Sequence, residues 1–140
     1  MSIPTFSVFS ALSEILVTAG VLFIIRRNWT RRRFSLAFFL VVALFEASVN
    51  VMYMASRAAQ AGAGAAPPLA PGLKLAYAGH GILSLLAYLV FVMLGVFAWQ
   101  DQRNGRYLFR ERPAMTWTFL AVWLVSVASG EGIFLARYVL

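Results

Sequence analysis

Four apolar runs, 6–25, 34–55, 75–99 and 116–139, take up most of the chain and are parted by three connections of different character. Each run is long enough to cross the ~30 Å hydrocarbon core of a bilayer as a helix. Helix is the required form, because that core offers no water to a free backbone group. No proline interrupts the runs; Pro4 and Pro113 stand just ahead of the first and the fourth. The pattern predicts an all-α four-helix transmembrane bundle, a single integral membrane domain over 1–140. The opening MSIPTFSVFS has no basic segment, and no small-x-small site follows the first run, so that run is expected to stay in the mature protein.

The polar interruptions are few. Glu14 lies in the first run, Glu46 and Asn50 in the second (FEASVN, 45–50), His80 in the third and Glu131 in the fourth. Glu46 and Asn50 are four apart and share a helix face; Tyr77 and Ser84 flank the face of His80.

Charge orients the bundle. RRNWTRRR (26–33) carries five Arg and QDQRNGRYLFRERPAM (100–115) carries four, whereas the middle connection carries only Arg57 and Lys74. Basic loops stay in the cytoplasm, so both termini are expected on the outer, periplasmic side of a bacterial cytoplasmic membrane. Trp29, Trp99 and Trp117 then mark the inner interface, and Tyr53, Tyr77 and Tyr138 the outer one. The Ala/Gly/Pro-rich middle connection is expected to be mobile unless a partner covers it.

With that orientation, a rise of ~1.5 Å per residue places Glu14, Glu46, Asn50, His80 and Glu131 roughly 7–13 Å below the outer face. All four helices contribute to this layer. Ionisable groups are costly at such depth and face a bundle interior or a cavity. The small-residue stretch SVASGEG (126–132) lets another backbone come close to Glu131.

Composition narrows the chemistry. The chain has 140 residues, 61% of them hydrophobic and 12% charged, with a formal net charge of +7 and no cysteine. Disulfides, thiolate metal sites and covalent c-type haem are excluded. The positive charge flanks apolar runs, so nucleic acid is not an expected partner; other membrane protein subunits and lipids are. The polar layer has three readings: hydrogen bonding that fixes helix packing, a metal site, or a proton-handling site. Three carboxylates and one imidazole suit a divalent ion, but the Glu-x-x-His pairs of carboxylate-bridged metal bundles are missing. One His cannot give a bis-His haem within the chain, though it could hold a metal ion or a pigment needing one ligand. No tightly bound cofactor is expected. Ser84 beside His80 lacks the water-supplied, activated setting of a hydrolase, and no phosphate-binding Gly loop or H-E-x-x-H is present, so no enzyme is expected. Arg26, Arg27, Arg31, Arg32 and Arg33 are candidate contacts for anionic lipid headgroups, beside their role as an orientation signal. Trp123 is expected to pack rather than to line a cofactor pocket.

Three stretches, GVLFIIRRNWTRRRFSLAFFLVVALFEAS, YAGHGILSLLAYLVFVMLGVFAWQ and RERPAMTWTFLAVWLVSVASGEGIFLARYVL, together resemble small membrane proteins of the CtaM/YozB type. The resemblance implies four helices, a pair of basic internal loops and a link to the maturation of haem–copper cytochrome oxidases. Only the helix-3 His of that pattern is kept, as His80. The His before Arg-Arg at the second helix is replaced by Thr30, and the His–Arg pair before the fourth helix by the region Arg110-Glu111-Arg112. Glu14, Glu46 and Glu131 are additions to the pattern. The expected function is therefore a non-catalytic accessory subunit, or assembly-factor relative, of a respiratory haem–copper oxidase or a related electron-transfer complex. The alternatives are a metal-binding or proton-handling bundle, and a pigment- or lipid-binding subunit of a photosynthetic membrane complex.

Overall fold

The computed structural model describes residues 5–64 and 71–138. Among the described residues there are five helices: α1 (Thr5–Trp29), α2 (Leu36–Gly62), α3 (Pro71–Arg103), the single turn α4 (Leu108–Glu111) and α5 (Pro113–Tyr138). The four long ones are each long and apolar enough to cross a membrane. This is a multi-pass architecture, as the apolar runs predict.

The ends of the helices differ from the sequence expectation, for local reasons. The second helix starts at Leu36 and not at Phe34. Ser35 is its N-cap and accepts a hydrogen bond from the Phe38 N–H at 3.3 Å. Phe34 falls just outside the helix, where its ring meets Phe39 at 5.8 Å and staples the entry of the chain. At the far end, α2 runs on through SRAAQAG to Gly62 because its alanines favour helix. The third helix begins at Pro71 rather than at residue 75 and extends to Arg103 rather than to 99. The middle connection is thus largely helical at both edges. Its centre, 65–70, and Val139 of the expected fourth run lie outside the described residues. The 100–115 connection also holds the unexpected turn α4. Pro113 opens α5 at the position where its missing N–H costs nothing.

The long helices close a ring of contacts, α1 with α2, α2 with α3, α3 with α5 and α5 with α1. Only about a quarter of each span, 28%, is buried by the other helices. Large apolar side chains such as Leu16, Val41, Leu44 and Leu85 point outwards, as a lipid-facing surface requires.

The core is aromatic at mid-height. Phe91 meets Phe39 at 5.2 Å, Trp123 at 5.5 Å and Phe119 at 6.4 Å. Trp123 donates its indole N–H to Thr18 Oγ1 at 3.1 Å, so it is a packing residue, as expected. Two close approaches need glycine. A Cβ on Gly20 would meet Val42 at 2.9 Å, and one on Gly95 would overlap the Phe39 ring.

The basic end is pinned by polar side chains. Asn28 has no exposed surface, and its Oδ1 accepts from the Phe109 N–H at 3.0 Å, capping α4 from another helix. Thr116 Oγ1 reaches the Phe109 carbonyl at 2.8 Å. Glu111 accepts from the Tyr107 N–H at 2.9 Å and pairs with Arg106 at 3.4 Å. That backbone N–H, with the arginine beside it, holds the exposed Glu111 carboxyl below the usual glutamate range.

The Phe39–Gly95 contact gives a direct test of the packing. Gly95→Ala forces the buried Phe39 ring to move, and overpacking of this kind costs about 1–3 kcal/mol. A clear fall in thermal stability in detergent is expected, whereas Gly79→Ala, where a Cβ meets open space, should leave it unchanged.

Candidate functional site: a polar chamber between the helices

The end of the bundle away from the basic loops holds a chamber of about 90 Å3. Glu14, Glu46, Asn50, His80 and Glu131 all line it. The layer predicted from depth alone is thus one place in space, with every long helix contributing. Its mouth is set by Ser7, Tyr53, Tyr77 and Tyr138.

Glu46 is 7% exposed. Its Oε1 accepts from Asn50 Nδ2 at 2.8 Å, and the same amide donates to the Glu46 carbonyl at 3.0 Å. The i, i+4 pair therefore satisfies itself along α2. Among the described residues, Asn50 on the same helix is the side-chain partner of Glu46. Other groups tie helices together at this end. His80 Nδ1 lies 2.9 Å from Ser129 Oγ, and Arg137 donates to the Tyr77 hydroxyl at 3.1 Å.

The tautomer of His80 follows from counting protons. Ser129 has one hydroxyl hydrogen, and it points to the Ser126 carbonyl at 2.7 Å. With that hydrogen given to Ser126, the His80–Ser129 bond takes its hydrogen from Nδ1. That leaves the Nε2 lone pair facing the cleft over Gly130. A Cβ there would sit 3.1 Å from Nε2, 2.8 Å from His80 Cε1 and 3.0 Å from Glu14 Oε2. Glycine at 130 is what lets the imidazole and the Glu14 carboxyl approach the same stretch of α5. Across the chamber, Glu131 Oε1 is buried without a hydrogen-bond partner.

Arg137 sits among the tyrosines of the mouth. Its guanidinium lies 5.7 Å from the Tyr77 ring centre and 5.3 Å from that of Tyr138, and Arg57 covers Tyr77 at 5.3 Å. Two cations thus stack on the tyrosines of the mouth. Sequence reasoning assigned these tyrosines to an interfacial belt; only Tyr77, one turn before His80, carried a local signal of site membership. Ser129 was legible only as a small residue.

Among the described residues, no three of the His, Asp and Glu side chains are placed to hold one metal ion. Of the candidate lipid-binding arginines, Arg27 is engaged in the fold itself, donating to the Arg33 carbonyl at 2.7 Å.

No family model, curated protein or solved structure matches the chain.

The tautomer is open to measurement. Nitrogen-15 NMR of His80-labelled protein in lipid is expected to show the proton on Nδ1. Ser129→Ala removes the acceptor and should shift population towards Nε2–H. A wild-type ring protonated mainly at Nε2 would contradict the assignment.

Proposed function

We propose that this chain is a non-catalytic accessory subunit, or a relative of assembly factors, of a respiratory haem–copper oxidase or related electron-transfer complex in a bacterial cytoplasmic membrane. The basic connections face the cytoplasm, and both termini and the chamber mouth face outwards. The observation that carries the structural role is the chamber itself: two of its polar groups are engaged within the same chain, Glu46 accepting from Asn50 and His80 bonded to Ser129. The His80–Ser129 bond joins α3 to α5, and bonds between helices stabilise packing within a membrane. The link to an oxidase rests on the resemblance of the helix and loop pattern, with His80 as its retained histidine.

A proton- or cation-handling bundle is the second reading. It is favoured by the unpartnered Glu131 Oε1 and by the Nε2 lone pair of His80 turned to the cleft that Glu14 shares.

Two substitutions separate the readings. Glu46→Gln keeps an oxygen for Asn50 and is expected to assemble and to support turnover normally. Glu46→Leu removes it and should weaken association by about 1 kcal/mol, read as reduced recovery of oxidase haem with the tagged chain after gentle solubilisation. Oxygen consumption is measured on the same preparations. A Gln variant that assembles fully yet has lost turnover would overturn the structural role in favour of proton handling.

A further inference from the structure

The basic end carries a second concavity, an open groove of about 560 Å3, formed where the α1–α2 connection meets the last turn of α3. Arg31 and Arg33 line it from one side, Arg103 from the other, with Trp99, Gln102 and Tyr107 between them. We propose that this groove binds a phosphate-bearing anion, foremost the headgroup of an anionic phospholipid.

The groove is built rather than left over. Gln102 grips the backbone of residue 34 from both sides: its Oε1 accepts from the Phe34 N–H, and its Nε2 faces the Phe34 carbonyl at 3.5 Å. This clamp ties the arginine loop to α3. The loop leaves α1 by a tight closure, in which the Arg32 N–H returns to the Arg27 carbonyl at 2.9 Å. Arg31 then occupies the left-handed region at φ 59°, where glycine is usual. This is the closure in which a helix C-terminus commonly ends, and it fixes where the Arg31 side chain leaves the backbone. Arg27 fixes the loop from behind through the Arg33 carbonyl, leaving Arg31 and Arg33 to the groove. Arg103 is set over the Trp99 ring at 5.3 Å.

Two opposing electrostatic effects meet here. α1 and α3 both end at the groove, and each helix C-terminus presents roughly half a negative charge. Three guanidinium groups outweigh that. The acidic residues of the chain do not cancel them: Glu14, Glu46 and Glu131 line the other chamber, Glu111 is engaged with Arg106 and Tyr107, and Asp101 is not part of the groove wall. Guanidinium forks match phosphate oxygens in pairs, and a tryptophan at the same level suits the headgroup region. The arginines of this end thus divide into those that line the groove and those that do not.

The division is the test. The full chain is purified in detergent, and binding of phosphatidylglycerol and phosphatidylcholine is compared by native mass spectrometry. Preference for phosphatidylglycerol is expected in the wild type. The groove variant R31Q/R33Q/R103Q should lose that preference by about tenfold or more. The equal-charge variant R26Q/R32Q/R110Q, which spares the groove wall, should change it less than about twofold. R103Q alone, at a helix end outside the clamped loop, should give an intermediate loss, and it decides the matter should the triple variant fail to fold. A parallel arm adds inorganic phosphate: displacement of the lipid by millimolar phosphate identifies a free phosphate compound as ligand, and resistance identifies the lipid headgroup. Equal losses in the two triple variants, no preference between the lipids, or an unchanged R103Q would overturn the proposal.

Discussion

An ionisable side chain has no stable place on a surface that faces hydrocarbon, and this constraint organises the molecule. Each spanning helix has only about a quarter of its residues covered by its neighbours, so little interior is available. That interior is divided by height. Aromatic rings fill the middle, Asn28 and Thr116 pin the basic end, and the carboxyls, amide and imidazole collect at the opposite end. An unpaired charge on the lipid face would cost a few kcal/mol even by the mildest insertion scales. Collecting the polar groups around one chamber removes that cost, and one of them, His80, joins α3 to α5 through Ser129.

Close backbone approach makes the arrangement feasible. Gly20 and Gly95 admit Val42 and Phe39 in the aromatic and aliphatic layers, and Gly130 admits His80 and Glu14 in the polar one. In lipid, where burial of apolar surface between helices gains little, such contacts supply the attraction through dispersion and hydrogen bonding. The chamber is therefore a consequence of packing as much as a collection of reactive groups. The paired Glu46 and Asn50 belong to its wall, whereas Glu131 Oε1 is buried with unused hydrogen-bonding capacity.

Much of this could be read in the sequence. The apolar runs marked the four long helices, and counting residues from their ends brought Glu14, Glu46, Asn50, His80 and Glu131 to one level; the structure brings them to one chamber. Depth along a helix is a linear quantity and survives errors of a few residues. Partnership depends on rotation and rotamer, which a single sequence does not fix. That is why the shared face of Glu46 and Asn50 could be read, but not that their side chains bond to each other. The same limit hid Ser129 as the partner of His80. Helix ends were misjudged where hydropathy and helix propensity diverge, as in SRAAQAG, which is polar enough to end a span and rich enough in alanine to continue a helix. The groove at the basic end joins residues far apart in the chain, so composition showed the arginines of one loop without Arg103.

The placement of the polar groups inside the bundle can be tested directly because the native chain contains no cysteine. Single cysteines introduced one at a time from 41 to 53 in membrane-embedded protein would be exposed in parallel to a small water-soluble thiol reagent and to a lipid-dissolved quencher. Positions 46, 50 and 53 should favour the aqueous reagent, from one side of the membrane only, while positions 41, 44 and 51 favour the quencher. Quenching strongest at 46 and 50 would place Glu46 and Asn50 against lipid and contradict an internal chamber.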